Sequence, residues 1–468
     1  MISNPEDLRG LKITVMGLGL NGGGTAAANF LAKAGAKVTV TDLNDEKRLK
    51  LSIEALNGLP IRFVLGKHRE QDFLEADITI KNPAVPKTSR YLGLCKRIET
   101  DISLFLRFAR NPVYAITGSK GKSSTVSALH NILSQTEKGS FLGGNITVSP
   151  LSFLKEAIAA PQRPVVLEMS SWQLADLPRD LCFSPQISSI TNIMKDHQNT
   201  YTSMEDYILD KELIFEGQNS SQASIFTLED PYTERFAKKS PAGVYYVSSS
   251  PLPQGLQGAG LLDSKGLLQI EGKTFEFDAD NPNLPGAHNR QNLLRAGLAA
   301  FLAGADIGDI ENGIRTFGGV SHRLEKIAEI KGVDVYNDSA STIPDATAAA
   351  LKSFDRKITL ICGGNDKNID FGALTGCASI PKCVVLLAGT ASETIASYFK
   401  KAGTPVYGPY DDLEKAVDTA LERCSPGEVA LFSPGATSFG MFLHEFDRGD
   451  KFKAIIAKMA QKTCKRNA

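Results

Sequence analysis

Val113-Tyr114-Ala115-Ile116-Thr117-Gly118-Ser119-Lys120-Gly121-Lys122-Ser123-Ser124 passes from a β-prone apolar run, through a glycine-broken loop, into an amphipathic helical stretch. Strand, loop and helix in that order form the unit from which mostly parallel sheets are built. The glycines let backbone N–H groups curl around phosphate oxygens, and the helix N-terminus adds positive potential there. Lys122 is placed to reach β- and γ-phosphates, and the Ser123 hydroxyl to ligate Mg²⁺. The spacing, GxxGKS, is shorter than that of the usual phosphate loop, so the strand–loop–helix setting carries more weight than the string. The competing reading is a glycine-rich turn with a solvated lysine.

Outward from this loop, further strands are predicted at Val165–Glu168 and Ile187–Ile190, and an antiparallel insert over 240–282. Upstream, a strand at Lys12–Met16 runs into Gly17-Leu18-Gly19-Leu20-Asn21-Gly22, then a helix to Ala34 with Gly35 as C-cap. A second strand over 38–41 ends on Asp42, and a third over 78–80 ends at Lys81-Asn82-Pro83. GxGxxG followed by Asp42 fits NAD with its ribose on the carboxylate. It also fits any nucleotide whose pyrophosphate rests on the helix N-terminus, with tight packing and no ligand as the lesser alternative. Downstream, strands over 333–336, 358–361, 384–387 and 429–432 alternate with helical stretches. The predicted class is α/β with three domains: 1–110 Rossmann-like; 111–322 of the P-loop ATPase type, mostly parallel with a small antiparallel insert; and 323–468 Rossmann-like.

Size and composition agree. At about 150 residues per domain, 468 residues suggest three domains. Lys+Arg and Asp+Glu both number 52, a balance that argues against a nucleic-acid or membrane-surface binder. Seven cysteines without a CxxC spacing point to a reducing compartment. The first residues lack a secretory signal pattern, and no apolar run nears the ~20 residues that span a bilayer. A cytoplasmic protein is expected.

Two strand ends offer oxygen and nitrogen ligands. Glu168 closes one predicted strand, and His197 lies just beyond another, where α/β sheets place ligands. Together they could hold Mg²⁺ against ATP phosphates. A structural histidine is the equal alternative for His197, and Lys211 alone reads as a solvated helix lysine.

In combination these segments are specific. The loop 117–123, Gly143-Gly144-Asn145-Ile146, Leu167-Glu168-Met169-Ser170-Ser171-Trp172-Gln173-Leu174 and Asp196-His197 resemble those of the Mur ligases. So do Gly286-Ala287-His288-Asn289 with Asn292, His322-Arg323, Asn337-Asp338-Ser339 and Ser433-Pro434, all in family order. The resemblance implies ATP-dependent ligation of an amino acid to a UDP-linked muramoyl acid through an acyl phosphate, in peptidoglycan precursor synthesis. D-glutamate and UDP-N-acetylmuramoyl-L-alanine match best, with L-glutamate or another amino acid open. It turns the GxGxxG reading from NAD to UDP.

Roles follow from the resemblance. Gly118, Ser119, Lys120, Gly121, Lys122, Ser123, Ser124, Asn289, Asn292, Arg323 and Asp338 would bind ATP. Ser123, Glu168, His197 and a carbamylated Lys211 would hold two Mg²⁺, and Lys122, Glu168, His197 and Lys211 would serve catalysis. Leu20, Asn21, Asp42, Asn82, Asn145, Ser170 and His197 would contact the UDP substrate. Thr342, Lys367 and Ser438 would face the amino acid. Small molecules are the only partners implied, and a monomer is expected. Ala340 and Ile343 stand where the family often has Lys and Asn, and Asn44 where an Arg is frequent. The rival functions are a NAD-dependent oxidoreductase, a P-loop NTPase or kinase, and a folate-polyglutamate ligase.

Overall fold

The computed structural model describes residues 2–20, 22–146, 148–194, 201, 203–281, 283–367, 369–438 and 440–467. Asn21 and His197 lie outside the described residues. Three sheets organise the described residues. The first is parallel, in the order Ile61–Leu65, Lys37–Asp42, Lys12–Met16, Ile78–Lys81, Ile98–Glu99. The strand predicted third is therefore fourth. Ile61–Leu65 precedes it as an edge strand, hidden in the sequence because Arg62 interrupts its apolar run.

The second sheet has nine strands. Phe141–Gly144, Val165–Glu168, Val113–Thr117, Ile187–Ile190, Ala223–Thr227, Gly243–Ser248 and Gly258–Leu262 run parallel in that spatial order. Lys265–Ile270 and Lys273–Asp278 then add on antiparallel. The predicted insert over 240–282 is thus an extension of the same sheet, and its first strand is parallel to its neighbours. Its short strands and glycine turns resemble hairpins until the partner strand is known.

These two sheets share one compact unit, Met1–Asp280 with Gln291–Thr316. A common apolar core fixes them to each other, from Leu31 and Val40 through Phe105 to Leu167 and Phe226. Phe105 meets Phe153 edge-on at 5.5 Å, and Phe153 stacks on Phe141 at 5.2 Å. Fully burying a ring such as Phe105 contributes roughly 1.5–3 kcal/mol, and the partly buried Phe141 and Phe153 add to the contact between the two sheets.

The other unit, Asn281–Arg290 with Phe317–Ala468, carries the third sheet. Its order is Glu325–Ile330, Val333–Asn337, Val429–Phe432, Ile358–Gly363, Cys383–Leu387, Val406–Tyr410, parallel except for the first strand. Apolar clusters cover both faces of this sheet, the reason its inner strands read as continuous apolar runs.

Candidate active site

Thr117 ends its strand, and the chain turns through Gly118 and Gly121, both at positive φ, into the helix Lys122–Leu133. A Cβ on Gly118 would stand 1.9 Å from Thr191 Oγ1, and one on Gly121 2.5 Å from Asn292 Oδ1. Only glycine permits that approach. Neighbouring strand ends secure the loop. Ser119 and Lys120 donate backbone N–H groups to the carbonyl and side chain of Asn192, both at 2.9 Å. Thr191 Oγ1 donates to the Lys120 carbonyl at 2.6 Å. Lys122 folds back, donating to the carbonyls of Gly118 and Ser119 at 2.8 and 3.1 Å. Ser123 and Ser124 sit half-buried on the first turn of the helix, and Lys120 is exposed.

Glu168 is paired in register with Ile116, so its side chain closes the strand beside the loop. It is 1 % exposed. One carboxylate oxygen accepts from Asn145 Nδ2 at 2.8 Å, and the other is buried with no hydrogen-bond partner. A buried, unsatisfied carboxylate oxygen is costly and suits a hard cation, so the donor set fits Mg²⁺. Among the described residues no cluster of three or more His, Cys, Asp or Glu could hold a metal. Lys211, in the helix Met204–Glu216, is 1 % exposed rather than solvated. Its ammonium donates to the Gly118 carbonyl at 3.0 Å and lies 4.4 Å from the Tyr207 ring centroid.

In the first sheet, Gly17, Gly19 and Gly22 all take positive φ, and Gly22 caps the helix Gly23–Lys33. Asp42 accepts from the Gly19 N–H at 3.1 Å and from the Asn44 N–H at 2.8 Å. Asn82 packs its Cβ against Gly17 and accepts from the Ala84 N–H at 3.0 Å. Leu20 stands 47 % exposed. A cleft of about 250 Å³ opens between this turn and the second sheet, its lining including Gly17, Gly23 and Asn82 with Gly144, Asn145 and Trp172. Ser170 begins the helix Ser171–Ala175 next to it, exchanging capping hydrogen bonds with Gln173.

Sequence reasoning missed several residues here. Lys81 and Asp176 form a buried ion pair across the two sheets, and Lys81 lines the cleft. Asp230 accepts the Ile193 N–H at 2.7 Å. Arg295 is buried under the ends of the strands. A charged residue closing an apolar run, as in Ile78-Thr79-Ile80-Lys81 or Leu293-Leu294-Arg295-Ala296, is the signal that could have found them.

In the other unit, Thr342, Lys367 and Ser438 sit on three loops tied to one another. Asn365 and Thr437 exchange backbone hydrogen bonds at 3.0 Å, and the Gly435 N–H donates to the Ser341 carbonyl at 2.9 Å. Ser438 is buried and Lys367 exposed. Asp338 is enclosed, accepting from Leu324 N–H at 3.1 Å, Ser341 Oγ at 2.6 Å and Ser433 Oγ at 2.7 Å. Burial pushes its carboxyl up to about 6, with those hydrogen bonds and the nearby Arg323 acting the other way. Arg448 is a further residue the sequence did not reveal, donating to the Ser339 and Ala436 carbonyls at 2.9 and 3.1 Å. Asn289 donates to the Pro285 carbonyl at 2.8 Å, whereas Asn292, in the first unit, approaches the phosphate loop.

Residues 116–300 match the family model of the Mur ligase middle domain, and residues 322–435 that of the Mur ligase glutamate ligase domain. The UDP-N-acetylmuramoylalanine–D-glutamate ligase of Borreliella afzelii is 41 % identical over 463 residues, covering 96 % of this chain and 98 % of its own. The protein of the same name from Treponema pallidum is 38 % identical, again covering 96 % of this chain and 98 % of its own. Among solved structures, a UDP-N-acetylmuramate–alanine ligase from Thermotoga maritima superposes with a TM-score of 0.62 at 20 % identity, covering 96 % of this chain and 99 % of its own. A MurF ligase from Thermotoga maritima in complex with ADP gives 0.56 at 16 %, covering 100 % and 98 %. At such identities the two structures speak for the fold alone.

Proposed function

The chain belongs to the Mur ligase family of ATP-dependent amide-bond-forming enzymes, and from that premise we propose that it joins D-glutamate to UDP-N-acetylmuramoyl-L-alanine. Residues 1–110 hold the uridylated acid, 111–322 ATP, and 323–468 the amino acid. The observation that carries this reading is the cleft between the first glycine turn and Asn145, the residue hydrogen-bonded to Glu168 beside the phosphate loop. An acid anchored by its nucleotide at Gly17–Gly23 would extend its carboxylate toward ATP.

A carboxylate and an amine do not condense unaided in water. The substrate carboxylate attacks the γ-phosphorus of ATP, releasing ADP and leaving an acyl phosphate. The amine of glutamate then attacks the acyl carbon, and inorganic phosphate departs. Both steps crowd anions, so preorganised positive charge is the main source of rate. Lys122, now resting on loop carbonyls, supplies it at the β- and γ-phosphates. Ser123, Glu168, His197 and Lys211, carbamylated, would hold Mg²⁺, which neutralises phosphate charge when bound. Asn145 orients Glu168 and borders the muramoyl end of the cleft with Ser170. Lys367 pairs with the side-chain carboxylate of glutamate, which Thr342 and Ser438 flank. Asn292 borders the nucleotide through Gly121.

No helix among the described residues is long and apolar enough to cross a membrane. The enzyme acts in the cytoplasm, as a monomer, on small molecules. Phosphate release with UDP-N-acetylmuramoyl-L-alanine and each candidate amino acid tests the reading. D-glutamate should support turnover, and L-glutamate should not. ATP hydrolysis that ignores the uridylated acid would overturn it.

A further inference from the structure

The helix Ala287–Leu302 presents Asn292 to the phosphate loop and, three residues on, Arg295 to the strand ends beneath it. Arg295 is only 2 % exposed. Its guanidinium donates to Ser189 Oγ at 3.0 Å, the Thr191 carbonyl at 3.2 Å and Thr227 Oγ1 at 2.5 Å. Thr227 Oγ1 in turn donates to the same Thr191 carbonyl.

Arg295 forms no ion pair with a described carboxylate. Glu229 and Asp230 attract it at longer range, while one Glu229 oxygen and both Asp230 oxygens accept hydrogen bonds from other groups. Glu229 accepts the Ser249 N–H at 2.7 Å, and Asp230 accepts the N–H groups of Ile193 at 2.7 Å and Tyr232 at 3.0 Å. Burial pushes the guanidinium down to about 10, still charged at neutral pH. An enclosed cation without a directly paired anion is costly. Two carboxylates attract the charge without pairing with it, so its positive potential is left to act on a further anion.

Its hydrogen bonds indicate where that anion sits. Thr191 links Arg295 to the loop: its carbonyl accepts the guanidinium, its Oγ1 fastens the Lys120 carbonyl, and its side chain packs under Gly118. We propose that Arg295 is a positioning residue for ATP, locking Thr191 so that the loop holds its triphosphate-receiving shape and adding positive potential from behind it. The inference rests on the loop's being the nucleotide site.

The test uses the full-length protein with a non-hydrolysable ATP analogue, reading its Kd, the separate KM values for ATP and the uridylated acid, and thermal stability. Arg295→Met should weaken analogue binding at least tenfold and raise KM for ATP in step, while KM for the uridylated acid stays within twofold. Arg295→Lys, which keeps the charge, should recover at least threefold of that loss. Analogue binding within twofold of wild type in Arg295→Met, an equal rise in both KM values, or no recovery with lysine would overturn the proposal. Should the Met variant not fold, Thr191→Val cuts the same link at Lys120; a fivefold weaker Kd is expected, and an unchanged one overturns it. Wild-type protein that binds no analogue would instead refute the nucleotide reading itself.

Discussion

The chain uses the same local device twice, a strand that turns through glycines into a helix, and the two copies differ in what lies behind them. Behind Gly17–Gly22 stand Asp42, which holds the Gly19 N–H, and Ser52, whose hydroxyl donates to the Gly19 carbonyl at 2.8 Å. Behind Gly118–Gly121 stand three cations, Lys122, Lys211 and Arg295, two of them fully enclosed. Backbone N–H groups and a helix N-terminus suffice to seat a diphosphate that does not react. Transfer of a phosphoryl group needs charge fixed in a site shielded from water. On the proposed reading the shared backbone gives binding, and the buried charge sets the copy that does chemistry apart.

The comparison breaks first at Lys122. Lys122→Ala removes the loop cation of the second turn, and ligation should fall about a thousandfold, as for a lost electrostatic stabiliser, measured as phosphate release at saturating substrates. A loss under tenfold would mean that the two turns do not differ as claimed. Glu168→Gln should come next, at about a hundredfold, with the Mg²⁺ concentration for half-maximal rate shifted upward. Equal Mg²⁺ dependence in the two proteins would remove Glu168 from the metal site.

Much of this contrast was legible in the sequence. The strand–glycine–helix units declare themselves because φ > 0 and close backbone approach admit little but glycine. Glu168 was visible because it ends an apolar run, Val165-Val166-Leu167, where a charge must have a reason. Ile61–Leu65 was not, since an edge strand needs no continuous apolar pattern. Lys211 was misleading as a bare helix lysine: its burial comes from packing against Tyr207 and the loop, contacts between residues four and some ninety positions away. The Lys81–Asp176 pair and the Thr191–Arg295 link share that difficulty, each joining segments 95 or more residues apart. Periodicity reports a face, not its partner.

A smaller effect belongs to the first turn. Asp42→Ala frees the Gly19 N–H from its acceptor, and KM for the uridylated acid should rise about tenfold, the scale of one charge-assisted hydrogen bond. kcat should stay within twofold, since the proposed reading gives this turn no part in phosphoryl transfer. Trp172 is the sole tryptophan and lines the cleft, so its fluorescence can report binding directly. A fall in kcat instead of affinity would erase the distinction between binding and chemistry.

The smallest effect sharpens the comparison through pH. His68 Nδ1 lies 2.8 Å from Thr41 Oγ1, beside Asp42, with the ring edge-on to Phe73 and Tyr91. Burial lowers its pKa, and the attraction of Asp42 opposes this more weakly. Neutral imidazole can accept from the Thr41 hydroxyl, whereas imidazolium cannot. A histidine depressed in the folded state binds more protons when unfolded, so its contribution is complete above about pH 6.5 and is lost as pH falls toward the folded value. The urea midpoint of wild type should drop relative to that of His68→Gln between pH 7.5 and pH 5. Over the same range the wild-type and variant KM values for ATP should track each other. If they diverge there, the first turn is coupled to the phosphate loop, and the charge beneath the second turn no longer explains their difference by itself.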